Sequence, residues 1–555
     1  MLLHHKIEVA VNTAIEQAQQ TGSLPVFDIP EIQVERPRDT SHGDYATACA
    51  LQMARLARMA PIKIAQTIAD HFFAPDYISE LNVAAPGFIN FRLATAYVQS
   101  LVDEIVRNGA DFGRIDIGHG KKAQVEFVSA NPTGPITIGR TRGGVIGDTL
   151  ARLMEAGGYD VTREYYYNDA GRQIKMLGES VQIRYQQLLG QEVDLTDDHY
   201  QGQYIVDIAQ LLLDEHGDAL LNESADYFGD FAKARISKQQ KASLNRINIH
   251  HDVYYNENEL YSSGRLMEAL EVLHQNGYVY QSEDGAQWLR TTAFGDDKDR
   301  VLIRSSDGLP TYRLPDIAYH WHKAKRGFEV VVDIFGPDHH AVAPQVLMGV
   351  QMLGFNTDFV HTLLHQIVNL ERDGIQLRMS TRRGDYVTLD ELVDEVGPDP
   401  VRYFMLARSA NSGVLFDLNL AVEHSDKNPV YYIQNAHVRC AGIFRKWAEA
   451  GFDPDADEGA DVSLLTHERE LAFLRKSAEL SAVIEQSVTT FEPHHIAFYA
   501  YELAATFHTA YEECRVLHSE VPHELALARL HFYRAAKSAL ARVLDLMGMS
   551  APEVM

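Results

Sequence analysis

The chain has 555 residues, 46% hydrophobic and 23% charged, the make-up of a globular protein long enough for several domains. A formal net charge of −27 rules out a protein that binds nucleic acid by bulk attraction, so any such contact needs a local basic face. Three scattered cysteines, Cys49, Cys440 and Cys514, exclude a disulfide framework and a C-x-x-C metal site.

No apolar run is long enough to span a bilayer, and the first residues lack the apolar core and cleavage site of an export signal. The expectation is a cytoplasmic protein with no membrane partner. Ile7, Val11, Ala14, Ile15 and Ala18 keep helical spacing and predict a first helix, ended by Gly22 and Pro25. Pro61 opens a second helix, with Ile62, Ile64, Ala65 and Ile68 roughly on one face. "VAAPGFINFRL" alternates and predicts a strand. Residues 1–112 are therefore expected to form an N-terminal α+β domain, closed by the polar, glycine-marked "DFGRIDIGHGKK".

The pattern changes from residue 123. "AQVEFVSA", "VTREYYY" and "FEVVVDIFG" predict strands, with helical stretches between them. The last is nearly all apolar, as a strand covered on both faces must be. The alternation predicts an α/β catalytic domain over residues 118–424, a Rossmann-like doubly wound parallel sheet, with a mostly helical, charged insertion at about residues 178–290. Residues 425–555 read as an all-helical bundle. Leu540, Val543, Leu544 and Met547 recur at i, i+3, i+4 and i+7, Gly548 stops that helix, and Pro493 and Pro522 fit helix starts.

Within the α/β part, "NPTGPITIGRTRGG" (residues 131–144) follows the first strand directly. The chain turns through Pro132, Gly134 and Pro135. A helix then begins near Gly139, with Val145, Ile146, Leu150 and Leu153 as its buried stripe and Gly157 and Gly158 at its end. A helix N-terminus at the carboxyl edge of a parallel sheet offers free N–H groups and positive dipole to an anion. The stretch is neither G-x-G-x-x-G nor a Walker A loop, so the residues alone leave a nucleotide site and an ordinary tight turn both open.

"VEFVSANPTGPITIGRTRGG", with "YYYNDAGRQI" after the next strand, resembles the signature region of class I arginyl-tRNA synthetases of bacterial type. "DGLPTYRLPDIAYH", "FGPDHH", "MSTRRGDYVTLDELVDEVG" and the ending "LMGMSAPEVM" extend the resemblance over essentially the whole chain. It implies ATP-dependent ligation of L-arginine to tRNA(Arg) through arginyl-adenylate, with Mg2+ accompanying ATP, no zinc, a monomer, and a first step that requires bound tRNA. Ser129, Ala130, Asn131, Pro132, Thr133, Gly134, Pro135, Ile136, Thr137, Ile138, Gly139 and Arg140 would then hold ATP, together with Asp338, His339 and Met379. A metal role for His339 and His340 is the weaker reading, since adjacent residues rarely ligate one ion together.

The sequence departs from the family at the chemistry. Thr137-Ile138-Gly139-Arg140 stands where the family has a tetrapeptide with two histidines. Thr137 keeps a hydroxyl, and Arg140 adds a permanent cation able to stabilise charge on the reacting phosphorus. If Arg140 points away, the alternative is a catalytically impaired paralogue that binds tRNA or arginine. The second signature covers Arg378, Met379, Ser380, Thr381, Arg382 and Arg383, with Thr381 in place of a lysine. Arg378, Arg382 or Arg383 must then meet the β- and γ-phosphates; without the family, the run reads as a solvated basic loop. The catalytic set is thus Thr137, Gly139, Arg140, Arg378, Met379, Ser380 and Arg382. For arginine the resemblance implies Glu126, Ser129, Asn131 (to the α-amino group), Tyr312 and Asp316, the last two at i, i+4. Taken singly, Asp316 reads as a helix cap, Glu126 as a strand-surface acid and Tyr312 as a core aromatic. For tRNA it implies Phe88 and Asn90 at the elbow, and Tyr431 and Arg439, with Tyr432, Arg445 and Lys446, in the helical anticodon-binding domain.

Overall fold

The computed structural model describes every residue except 1, 38, 170–171, 338–341, 378–386 and 454. The first helix, Leu3–Gln20, buries Ile7, Val11, Ala14, Ile15 and Ala18, the stripe its spacing predicts. The single strand expected at "VAAPGFINFRL" is a hairpin instead. Ile78–Ala84 and Phe88–Leu93 pair antiparallel, and Tyr45–Thr47 adds a third strand. Pro86 has no N–H for a ladder, and a Cβ on Gly87 would lie 2.7 Å from the Cβ of Pro61, so the chain turns there against the helix Pro61–His71.

The central sheet has five parallel strands: β1 (Lys122–Glu126), β2 (Asp160–Tyr167), β3 (Val253–Asn256), β4 (Val330–Phe335) and β5 (Val360–Leu364). Their spatial order is β5-β4-β1-β2-β3. Strand order reverses between β1 and β4, and the crevice at their carboxyl ends is where such sheets bind ligands. Two of these strands were not predicted. β3 lies inside the stretch read as mostly helical; four residues, "VYYN", among charged neighbours are too few to display a period. Helix α1 (Ile138–Ala156) packs on this sheet so closely that a Cβ on Gly147 would lie 2.3 Å from Phe127 Cγ. That contact accounts for one glycine of the "RGGVIGD" run.

Helices α2 (Arg172–Leu188), α3 (Gln203–His216) and α4 (Ala225–Arg246) form a separate packed unit around Leu177, Tyr185, Ile205, Phe228 and Ile236. Helix α5 (Arg313–Lys325) precedes β4 and lies against the sheet. The C-terminal part is helical, with α6 (Pro429–Glu449), α7 (His494–Glu513) and α8 (His523–Leu546). Leu540, Val543, Leu544 and Met547 are all buried, and Gly548 follows in the left-handed region at φ +69°. Among the described residues no helix is long and apolar enough to cross a membrane.

Candidate active site

Regular strand geometry ends at Glu126, and the chain then takes a conformation that L-residues avoid. Val128 and Ser129 have φ of 68° and 39°, in the left-handed region, where a β-branched residue such as valine is strained. Side chains fix this turn. Ser129 Oγ donates to Glu126 Oε1 at 2.9 Å and accepts the Tyr166 N–H at 3.2 Å. The loop continues to Thr137, whose hydroxyl caps α1 by accepting the Arg140 N–H at 3.5 Å. The Arg140 guanidinium donates to the Val128 carbonyl at 3.3 Å. Among the described residues it has no carboxylate partner. It borders two neighbouring cavities, of about 470 and 790 Å³, that share Asn131, Arg140 and Gln173.

A row of acids runs beneath the smaller cavity, and Glu126 and Asp333 of that row line it. Parallel register sets Glu126 beside Glu164 on one side and Asp333 on the other. Helix α5 and the residue after it cover the row. Lys323 bridges Glu126 and Asp333, at 2.6 Å to the latter, and His320 Nε2 lies 3.0 Å from Asp333. Tyr319 shares its proton between Glu126 (2.8 Å) and Glu164 (2.7 Å), and Arg326 grips Glu164 with two bonds. Burial works against the charge of Asp333, yet Lys323 and then His320 hold its carboxyl well below the usual range. Glu126 is therefore no strand-surface acid. It is 2% exposed, and Lys323, Tyr319 and Ser129 already address its two oxygens.

Two further carboxyls line the same cavity without such neutralisation. Asp316 lies in the first turn of α5, its N–H bonded to the Tyr312 carbonyl at 3.3 Å, and burial pushes its carboxyl up to about 7. Tyr312, not Asp316, occupies the helix-cap position, and it is half-exposed at the cavity rim rather than in the core. Glu257, just after β3, accepts the Tyr166 hydroxyl at 2.8 Å, and burial raises its carboxyl too. Among the described residues no cation pairs with either. Asn131 reaches the cavity while its Nδ2 donates to Gln173 at 2.7 Å. Asp316 and Glu257, facing the cavity with no ion-pair partner among the described residues, suit a ligand that carries its own positive charge.

The structure thus brings Glu126, Ser129, Asn131, Arg140, Tyr312 and Asp316 to one cavity. Arg378, Met379, Ser380, Arg382, Asp338 and His339 lie outside the described residues. The chain that follows the second signature is tied to the first. Thr388 pairs with Thr137 as an isolated bridge, and the Leu389 N–H donates to the Ile136 carbonyl at 2.8 Å. Glu257 and Gln173 were missed by the sequence reading. The cue for Glu257 was an acid two residues beyond the Tyr254-Tyr255 pair, where a strand's carboxyl end would be.

Family models cover the chain in three consecutive matches: the arginyl tRNA synthetase N-terminal domain at residues 5–93, the class I (R) tRNA synthetase catalytic domain at 101–403, and the DALR anticodon binding domain at 433–555. The arginine–tRNA ligase of Salinibacter ruber is 44% identical over 95% of this chain and 97% of its own. That of Desulfotalea psychrophila is 41% identical over the full length of both. The chain belongs to the arginyl-tRNA synthetase family. The solved arginyl-tRNA synthetase of Thermus thermophilus, at 23% identity and TM-score 0.76 over the whole of both chains, shares the fold.

In arginyl-tRNA synthetase terms, two more regions matter. Phe88 and Asn90 line a cavity of about 700 Å³ in the N-terminal part, with Arg36, His42 and Gln52. In the DALR region, Arg439 Nη1 lies 3.0 Å from His508 Nδ1 and its guanidinium 5.1 Å from the Tyr511 ring centre. Tyr432 packs on Tyr501 and His508 beside it, and Tyr431 meets His424. Tyr501 and Phe498 of α7 stay exposed.

Proposed function

We propose that this protein joins L-arginine to tRNA(Arg) in two steps at the crevice between β1 and β4. The arginine carboxylate attacks the α-phosphorus of ATP, releasing pyrophosphate and leaving arginyl-adenylate. The terminal adenosine hydroxyl of the tRNA then attacks the activated carbonyl and AMP departs. No protein nucleophile is needed; orientation and fixed charge do the work. The observation that carries the reading is the pair of carboxyls, a half-buried Asp316 and a buried Glu257, with no ion-pair partner among the described residues in a cavity that opens at the signature loop.

In this reading Asp316 takes the guanidinium, with the Tyr312 ring at its edge. The already neutralised Glu126 row lies beneath, and Asn131 receives the α-amino group. Arg140, at the junction of the two cavities, meets the phosphates, and Mg2+ enters with the triphosphate. Arg378, Met379, Ser380 and Arg382 keep their expected role over ATP, supported by the tie between Thr388 and Thr137. Phe88 and Asn90 at the elbow, and Tyr431 and Arg439 in the bundle, contact tRNA. The protein works as a cytoplasmic monomer.

Arginine-dependent exchange of label between pyrophosphate and ATP, with and without tRNA(Arg), tests the proposal. Exchange that needs arginine and tRNA together supports it. Binding of both ligands with no exchange would instead identify the impaired paralogue. That alternative required Arg140 to be turned away or locked in an internal ion pair, and its guanidinium has no such pair among the described residues.

A further inference from the structure

Four carbonyls of the signature loop are each held by a side chain from elsewhere. Tyr165 on β2 donates its hydroxyl proton to Ala130 O at 2.9 Å. Gln240 on α4 spends both amide protons on the loop, at 3.0 Å to Asn131 O and 2.8 Å to Gly134 O. Tyr204 on α3 donates to Thr133 O at 2.7 Å. Gln240 is 1% exposed, and its own oxygen lies 3.2 Å from the Tyr165 hydroxyl. Beyond these, the Leu389 N–H holds the Ile136 carbonyl and Asn131 Nδ2 reaches Gln173, while the loop's own backbone contributes little. Two prolines remove N–H donors, and among the described residues one backbone bond, Thr133 N–H to Asn131 O at 2.8 Å, closes within residues 130–136.

Three of the four contacts come from α3 and α4, which pack around a core of their own. The shape of the loop is therefore set from outside the sheet that carries it. Glutamine suits the task because one planar amide delivers two donors at fixed spacing to carbonyls three residues apart. A buried glutamine serving only packing would gain as much from any two acceptors, yet both of these belong to the loop that carries Asn131 and leads into Thr137 and Arg140.

We infer that Gln240 and Tyr204 are positioning residues: the helical insertion uses them to hold the signature loop in the shape that aligns Asn131, Thr137 and Arg140 on ATP and the adenylate. The inference rests on the synthetase reading of the site. Its consequence is that the insertion, which also walls the larger cavity beside Arg140, governs the rate of adenylate formation through the shape of the loop.

The test uses the full chain with Gln240→Ala and, as a milder change that keeps the ring, Tyr204→Phe. Hydrogen exchange at the Thr133 amide, whose bond closes within the loop, and pyrophosphate-exchange kinetics are read together. Gln240→Ala is expected to speed amide exchange in the loop about tenfold, with the rest of the chain and Tm little changed. It should lower kcat about 10–100-fold while KM for ATP and for arginine each move less than about threefold. Tyr204→Phe should act in the same direction and more weakly, and it stands in if Gln240→Ala does not fold. Loop exchange equal to wild type overturns the inference, and so does faster loop exchange with unchanged kcat. If wild-type protein shows no arginine-dependent activity, the synthetase reading fails by itself, and the clamp is rejected with it as a catalytic device.

Discussion

Asp316 and Arg140 face one cavity, and each makes a separate demand on the chemistry. Burial holds the Asp316 carboxyl up to about 7, so the empty pocket binds a proton that an isolated aspartate would have released. An acid with a raised folded pKa lowers stability as pH climbs above its unfolded value, so this residue is not there for stability. A guanidinium needs the ionised form, and its arrival expels the proton. Arginine affinity should therefore weaken about tenfold per pH unit below 7 and level off above it, read by calorimetric titration across that range. Asp316→Asn should flatten most of the slope, leaving what Glu257 contributes, and raise KM for arginine about 100-fold, near 3 kcal/mol, with KM for ATP nearly unchanged. Equal losses for both substrates would refute the pocket assignment. Arg140 makes the complementary claim. Its guanidinium is anchored by one carbonyl and faces both cavities, so it is available to charge developing on phosphorus. Arg140→Ala should lower kcat for pyrophosphate exchange about 100–1,000-fold with little change in either KM. A kcat near wild type would leave the guanidinium without a role.

At the scale of elements, what was readable in the sequence follows from how many residues repeat a pattern. The Leu3–Gln20 helix and the end of α8 run for several turns with an apolar stripe, and both were legible. β3 was not, since its side-chain alternation is cut off after four residues. The hairpin at 78–93 merged into one strand because alternation passes through Pro86 unbroken. In the site, Tyr312 and Asp316 were legible only through resemblance, and their i, i+4 spacing then placed them on one face. Gln240 and Tyr204 left no signal, because they bind backbone carbonyls 109 and 71 residues away in the chain. Arg402, on the helix Pro398–Leu406, is a similar case. It is fully buried, donating to Asp148 on α1 at 2.6 Å, to Ile247 O after α4 at 2.7 Å and to Met547 O at the end of α8 at 2.5 Å. A Cβ on Gly548 would lie 2.3 Å from its guanidinium carbon. Arg402→Ala leaves Asp148 and two carbonyls short of a donor where three elements meet, and should cost about 3–5 kcal/mol in denaturant unfolding. A loss below about 1 kcal/mol would mean that Arg152, also bonded to Asp148, suffices.

Across the whole molecule, the N-terminal part and the C-terminal bundle are joined by polar contacts that bear on how an RNA could engage both. Arg36 donates to Glu479 at 2.9 Å, Gln99 to the Ser463 and Leu465 carbonyls at 3.0 Å, and His531 bridges Asp103 and Asp457. Arg36 also borders the cavity that holds Phe88 and Asn90, so that cavity is seated on the bundle whose α7 exposes Tyr501. With a net charge of −27, recognition has to rest on stacking and a few local cations rather than on the general field. An unpaired base stacked on one aromatic ring is worth about 1–3 kcal/mol. Phe88→Ala should therefore raise KM for tRNA about 5–150-fold in aminoacylation at fixed salt, with KM for arginine and ATP unchanged. Tyr501→Ala should have an effect of similar size. The two side chains share no partner, so the double variant should show the product of the single effects. A product that falls short would mean that losing one contact already releases the RNA from the other, and an unchanged KM for Phe88→Ala would remove the elbow cavity from the tRNA path.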